Sequence, residues 1–258
     1  MVARINLNAD MGEGYGAYDI GDDEALLKIV RSANIACGFH AGDANTMHRL
    51  VIQAEIEGVS IGAHPGFNDL WGFGRRRIDM PPKELEYLIA YQIGALQAIA
   101  GYGSLKVTHV KPHGALNNMA AEDLDLAMAV GRAIRTVDRD LIYVALSGSE
   151  MERAAEKLDL PLAREAFADR TYEDDGNLTP RSVPDSVIKD AGMACQNVVR
   201  MAQEQEIVSR GGKRIPRRID TICVHGDEPT AVTLARKVRT GLEEAGIQVV
   251  PLSELGIN

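Results

Sequence analysis

Ile5-Asn6-Leu7-Asn8-Ala9-Asp10 alternates apolar and polar residues one by one. In an extended strand side chains two apart share a face, so Asn6, Asn8 and Asp10 point one way and Ile5, Leu7 and Ala9 the other. The habit recurs downstream. Ser60 leads to His64; His109, Lys111 and His113 share a face; Thr221 and Cys223 lead to His225. An open sheet with helices packed on both faces has little room for so many polar groups on one side. A closed barrel widening to a solvated mouth has that room. The chain is therefore expected to be a single-domain α/β fold over residues 1–258, a TIM-like parallel (β/α) barrel of seven or eight strands.

The rest of the chain keeps the same rhythm of short β-branched runs and longer helical patterns. Strands are expected at 5–9, 33–37, 59–63, 106–111, 141–146, 162–167, 221–224 and, more weakly, 247–251. Helices are expected at 22–31, 44–57, 82–101, 122–137, 150–157, 190–210 and 229–245. Pro81-Pro82 marks one helix start, and Gly58, Gly103 and Gly246 follow helix ends. The longest irregular stretches, 65–80 and 169–184, both follow strands, where barrel loops cover a site.

Composition narrows the function. Of 258 residues 45% are hydrophobic and 25% charged, enough for one substantial core. The formal net charge of −9 argues against a nucleic-acid or anionic-membrane partner, since both need clustered positive charge. Three scattered cysteines make neither a disulfide framework nor a zinc ribbon. With no signal-peptide pattern at the start and no apolar run of membrane length, a cytoplasmic location is expected.

Chemistry gathers at the strand ends. His40, His64, His113 and His225 close four strands and should meet at the barrel's catalytic rim. Asp10 ends the first strand and Glu13 follows in Met11-Gly12-Glu13-Gly14-Tyr15-Gly16. A carboxylate beside an imidazole orients it and raises its basicity. Asp43 and Asp227 follow strand-end histidines, and each has a second reading as a helix cap. Glu165 and Asp169 share a face if their strand runs far enough. Lys111 is read either as the structural partner of Asp10 or as a charge offered to substrate; its closeness to His113 places it near the wet mouth, which favours substrate. Arg75, Arg76 and Arg77 sit in a loop over that mouth, where they suit a carboxylate or phosphate.

Absences discriminate as well. Gly212-Lys213 lacks the glycine and hydroxyl residue of a phosphate-binding P-loop, no G-x-S-x-G occurs, and Gly12-x-Gly14 is a weak dinucleotide signal. Pro112 forbids the helix on which His109 and His113 would pair as metal ligands. Asp10, His40 and His64 offer an alternative set for a divalent metal ion, at no diagnostic spacing.

Taken in order, Leu7-Asn8-Ala9-Asp10-Met11-Gly12-Glu13-Gly14, Gly21-Asp22-Asp23-Glu24, the run from Ser32 through Cys37-Gly38-Phe39-His40 to Asp43, Gly62-Ala63-His64-Pro65, Gly72-Phe73-Gly74-Arg75-Arg76, Val110-Lys111-Pro112-His113-Gly114-Ala115-Leu116, Phe167-Ala168-Asp169-Arg170, Asp174-Asp175-Gly176, Pro180-Arg181 and Ile222-Cys223-Val224-His225-Gly226-Asp227 resemble the LamB/YcsF family. The resemblance covers about residues 5–250. It implies a barrel related to carbohydrate deacetylases and the ATP-dependent hydrolytic opening of 5-oxoproline to L-glutamate. It also implies two partner subunits of a 5-oxoprolinase, B and C; a homo-oligomer is left open. Under it Asp10, Glu13, His40, His64, Lys111 and His113 are expected to be catalytic. Asn8, Asp43, Arg75, Arg76, Glu165, Asp169, Arg170, His225 and Asp227 are expected to bind substrate. Asn117 stands where the family has tyrosine, and Gly66-Phe67-Asn68-Asp69 replaces its Ser-Tyr-Pro-Asp. Two other readings remain: a metal-dependent amide or N-acetyl hydrolase that needs no ATP, and a substrate-binding subunit without catalysis of its own.

Overall fold

A computed structural model describes residues 3–226 and 230–257. In chain order the strands are β1 (Arg4–Met11), β2 (Ser32–Ala36), β3 (Ser60–His64), β4 (Val107–Val110), β5 (Ile142–Leu146), β6 (Leu162–Phe167), β7 (Glu206–Val208), β8 (Arg214–Pro216), β9 (Thr221–Val224) and β10 (Gln248–Val249). The helices are α1 (Asp23–Leu27), α2 (Ala44–Glu57), α3 (Pro82–Ala100), α4 (Gly114–Glu122), α5 (Leu124–Val137), α6 (Glu150–Leu158), α7 (Ala191–Glu204) and α8 (Ala231–Glu244).

Strands β1 to β6 and β9 pair in parallel, each with the next, and β9 returns to β1 to close the ring. The closing register runs from Asn6 opposite Thr221 to Ala9 opposite Val224. The closed barrel therefore has seven strands. The eighth candidate, β10, adds only Gln248 and Val249 beside the start of β1. Ile5, Leu7, Ala9 and Met11 face outward and are buried under the helical shell, each large side chain stabilising by roughly 1.5–3 kcal/mol.

Inside, Asn6, Asn8 and Asp10 climb the barrel in three steps. Asn6 donates to Ser32 Oγ (2.9 Å) and the Val250 carbonyl (2.7 Å) and accepts from Thr221 Oγ1 (2.7 Å). One step up, Asn8 donates to Thr221 Oγ1 (2.7 Å), and Asn34 Nδ2 donates to Asn8 Oδ1 (2.7 Å). Leu252 packs with Ile142, Val144 and Ala163 and seals the lower end. His109 lies within the barrel and not at the rim, its Nε2–H donating to Asn34 Oδ1 (3.0 Å). Gly62 makes that ring possible, because a Cβ there would stand 2.2 Å from the His109 ring.

Three expectations about elements need correction. Helix 122–137 is α5, starting at Leu124 with Asp123 capping the Asp125 and Leu126 N–H groups, and a further helix, α4, precedes it directly after His113. Helix 190–210 ends at Glu204, where Gln205 turns left-handed (φ 53°), and Ile207 pairs with Ile215 in an antiparallel hairpin, β7–β8. The β-branched pair Ile207-Val208 and the Gly211-Gly212 turn carried that signal. Helix 22–31 shrinks to the five residues of α1.

Candidate active site

The C-terminal ends of the strands surround a cavity of about 440 Å³. Asp10, Glu13, His64, Lys111 and His113 line it, with His225, Arg75 and Arg170 among the residues of its wall. β1 delivers Asp10, and the glycine-rich turn after it folds Glu13 back over the mouth. That turn is held by Gly12 N–H on Asp23 Oδ2 (3.1 Å), Gly16 N–H on Asp43 Oδ2 (2.8 Å) and Gly42 N–H on the Gly14 carbonyl (2.7 Å).

Lys111 is the electrostatic centre of the floor. Its ammonium donates to Asp10 Oδ1 at 2.8 Å, stands 3.1 Å from Glu165 Oε1 and touches Cys223 Sγ at 2.9 Å. With its side chain only 2% exposed, it sits deeper than the wet-mouth reading required. Burial works against its charge, but Asp10, Cys223 and Glu165 outweigh that and hold the ammonium well above its ordinary pKa. Burial also works against an ionised Asp10; His64 and Lys111 reverse it and keep that carboxyl well below the usual range. Glu165 goes the other way, raised by burial, and Asn8 donates to it (3.1 Å).

Three imidazoles stand above. His64 Nδ1–H donates to the Lys111 carbonyl (2.7 Å), leaving Nε2 turned toward Asp10 Oδ2 at 3.4 Å. His113 Nε2–H donates to the Phe73 carbonyl (2.7 Å). His40 stacks on His113, ring centroids 3.6 Å apart and planes within 5°, and its Nε2 lies 3.2 Å from Glu13 Oε1. Burial and the neighbouring His113 push His40 down to about 3, so it is neutral. Gly74, at φ +61°, lets its loop cross these rings: a Cβ would lie 2.6 Å from His40 Cβ and 2.8 Å from His113 Cδ2.

Not every expected site residue reaches the cavity. Asp43 accepts from the Asn45 and Thr46 N–H groups (both 2.9 Å) as the cap of α2, so the capping reading fits its placement. Arg76 turns outward and pairs with Asp69. Asn8 and Glu165 lie one layer beneath the cavity lining. β6 stops at Phe167, so Asp169 does not share a strand face with Glu165; it pairs instead with His225 Nδ1 at 2.8 Å. Arg170 does line the cavity, and two of its N–H groups donate to the Thr179 and Ser186 carbonyls, bracing the 170–187 loop. Asp227 lies outside the described residues. Sequence reading missed Asn34, which donates to Asp10 Oδ1 (2.8 Å), and Cys223 as the contact of Lys111. The alternation Ser32, Asn34 on β2 was the available signal for Asn34. Asn117, at the departure from the family pattern, lines the cavity with its buried Oδ1 lacking a hydrogen-bond partner.

For a metal ion, the donor set is Glu13, His40, His64 and His113, whose ligand atoms lie within 4.8 Å of one another. Three imidazoles and a carboxylate suit a divalent transition ion. The trio Asp10, His40, His64 is not what the fold groups, because Lys111 and Asn34 hold Asp10 to one side. A second group, Asp10, Cys223 and His225, also converges within 4.8 Å, but Lys111 already engages two of its members.

The sequence profile of the LamB/YcsF family matches residues 5–256. The chain belongs to that family. It is 56% identical over 251 residues to a protein of Rhodopseudomonas palustris (strain BisB5) named as the A subunit of 5-oxoprolinase, covering 97% of this chain and 99% of that one. The crystal structure of a lactam utilization protein from Thermus thermophilus superposes with a TM-score of 0.91 at 42% identity, covering 96% of this chain and 99% of that one. More distantly, the catalytic domain of a peptidoglycan N-acetylglucosamine deacetylase from Eubacterium rectale matches at TM-score 0.54 and 10% identity, over 99% and 91% of the two chains. That last likeness concerns the barrel fold alone. Within LamB/YcsF architecture, the mouth described above is where this chain concentrates its buried charge.

Proposed function

We propose that this chain is the A subunit of a 5-oxoprolinase and that the mouth cavity is where the lactam of 5-oxoproline is opened to L-glutamate. The observation that carries this is the near-full-length identity to proteins of that name and to a lactam utilization protein. The charged cavity supplies groups of the right kind. His64 Nδ1–H is committed to the Lys111 carbonyl, so in the neutral imidazole the lone pair is on Nε2, and beside it stands the ionised Asp10. Of the two, the Asp10 carboxylate is suited to take a proton from attacking water. Lys111 holds Asp10 in place and keeps it ionised, a positioning role where a direct charge to substrate had been expected. Arg75 and Arg181 put positive charge on the wall, suited to the substrate carboxylate.

A lactam amide is a poor electrophile. Phosphorylation of its oxygen by ATP would turn that oxygen into a leaving group, and coupling to ATP is part of the proposal. So are partner subunits B and C, supported by the word subunit in the relatives' name. The chain has no P-loop motif, so ATP would bind by another arrangement here or on a partner. A cytoplasmic setting is supported by three buried cysteines, none of them in a disulfide. The imidazole–carboxylate cluster favours a second reading, an amide hydrolase that needs no ATP. A divalent ion held by Glu13, His64 and His113 would supply Lewis-acid polarisation of the substrate carbonyl.

The deciding measurement is glutamate and phosphate release from 5-oxoproline by the chain alone and mixed with the two partner subunits, with and without ATP. Glutamate formed only by the full mixture with ATP is expected. Turnover by the chain alone without ATP would replace the proposal with the second reading, and no glutamate under any combination would end both.

A further inference from the structure

The tautomers of two histidines at the cavity are fixed by their neighbours. A carbonyl oxygen only accepts, so the Lys111 carbonyl requires the proton of His64 on Nδ1, and the Phe73 carbonyl requires that of His113 on Nε2. In the neutral imidazoles the remaining nitrogens, His64 Nε2 and His113 Nδ1, are therefore both lone pairs. They face each other at 3.0 Å. Glu13 Oε1, a third acceptor, lies 3.2 Å from His113 Nδ1 and 4.0 Å from His64 Nε2. Three acceptors converge with no donor among them, in a site where all three residues are buried. One shared proton would bridge a single pair and leave the third acceptor facing a lone pair. A cation satisfies all three together.

The distances say which kind of cation. The three atoms lie on a circle of radius about 2.0 Å, so an ion at or just off its centre meets all three at the bond length of Zn²⁺ to histidine nitrogen or carboxylate oxygen. Two imidazoles among the three donors select a transition metal over calcium and magnesium, which take oxygen ligands. Glu13, His64 and His113 all line the cavity, so further coordination positions open toward it, whereas His40 does not line it. His40 Nε2 at 3.2 Å from Glu13 Oε1 orients the carboxylate from behind.

We infer that Glu13, His64 and His113 form a binding site for a divalent transition-metal ion open to the cavity, with His40 as the positioning residue of Glu13. This stands on the geometry of the three acceptors and is independent of the 5-oxoproline reading. The test therefore uses metal alone: the full-length chain, stripped with chelator, is titrated with Zn²⁺ by calorimetry and with Co²⁺ followed by visible absorption. One equivalent is expected to bind with micromolar or tighter affinity and to give Co²⁺ d–d bands. Glu13→Gln and His113→Ala should each weaken binding by more than about 100-fold, and His40→Ala by about 10–100-fold, the range for outer-shell partners. His40→Gln, which retains an N–H toward Glu13, should recover most of the His40→Ala loss and restore the Co²⁺ spectrum. Circular dichroism of each variant reports folding, and Glu13→Gln, nearly isosteric, serves if a histidine variant unfolds. No saturable binding up to millimolar metal, or binding that Glu13→Gln and His113→Ala leave unchanged, would overturn the site. Equal binding by His40→Ala and the parent would remove His40's role. Loss of 5-oxoproline turnover with metal binding intact would bear on the functional proposal and leave this one standing.

Discussion

The lower and upper halves of the barrel interior are built by the same strands but from opposite chemistry. Asn6 and Asn8 on β1 belong to a neutral layer, with Ser32, Thr221 and Asn34, in which amide and hydroxyl groups partner one another. Two residues further, Asp10 opens a layer of Lys111, Glu13 and three imidazoles, with Glu165 reaching Lys111 from the layer beneath. A satisfied neutral hydrogen bond contributes about 1 kcal/mol net and asks for nothing more. A buried charge is costly unless paired, and the upper layer carries acceptors and carboxylates beyond what its one ammonium covers. The lower layer holds the barrel shut. The upper layer is left incomplete toward the cavity, as a site that must receive something has to be.

The largest effect that separates the halves is catalytic. Asp10→Asn is expected to lower 5-oxoproline turnover by the assembled enzyme by more than about 1000-fold, the upper range for one acid–base or charge-stabilising group. The fold should survive with a smaller loss in melting temperature than for Lys111→Met, because Asn keeps an oxygen for Lys111 and Asn34 and Glu165 still faces the ammonium. Steady-state rates and thermal melts on one preparation measure both, and near-normal turnover would move Asp10 from chemistry into scaffolding.

Lys111→Met should be the most destabilising change, by roughly 3–5 kcal/mol in urea unfolding, since it leaves Asp10 and Glu165 buried without their cation. Adding Glu165→Gln to that variant should restore part of the loss. A stable Lys111→Met protein that has merely lost activity would mean that the ammonium serves substrate and that the ion pair does not hold the floor together.

In the neutral layer, Asn6→Ala leaves the Ser32 hydroxyl, Thr221 hydroxyl and Val250 carbonyl short of a partner. A loss of about 2–3 kcal/mol is expected, with kcat and KM unchanged. A change in kcat at that distance from the mouth would dissolve the division between the halves.

The smallest effect concerns the glycine-rich turn that carries Glu13. Burial lifts the Asp23 carboxyl to about 6 from 3.8, although Gly12 N–H donates to it. The folded state thus binds this proton more tightly than the unfolded one. Its penalty is absent below about pH 4, grows as the pH rises and is complete above about 6. Asp23→Asn, which keeps an acceptor for Gly12, should raise the melting temperature relative to the parent at pH 8 and not at pH 4. The gain is on the order of 1 kcal/mol, because the group is only partly shielded from water. A gain of equal size at both values would exclude ionisation as its cause.

Much of this was legible in residues. The alternation in β1 announced an inward polar face, and strand ends at His40, His64, His113 and His225 announced a rim. Local signals were misread where two rules competed. The alanine-rich run after His113 starts a helix at once, yet Asp123, a good cap, signalled only the second one. Ile207-Val208 continues the apolar spacing of the helix before it, although β-branched residues before Gly-Gly favour a hairpin.

Periodicity is a property of one strand. It fixes which side chains turn inward before any partner is known, and so the sequence by itself determined a parallel barrel with a polar interior and a mouth of acids and imidazoles. Partnership is a property of closure. Lys111 meets Asp10, 101 residues away, and Cys223, 112 residues away, only because β9 returns to β1 in the register that sets Asn8 beside Cys223. A slip by one residue would turn those faces inside out. Which carboxylate the lysine takes, that Asp43 caps a helix while Glu13 enters the cavity, and that two histidines point lone pairs at one another are decided by that register. The long-range pairing energy that selects it is summed over the whole ring of strands and cannot be read from any one of them.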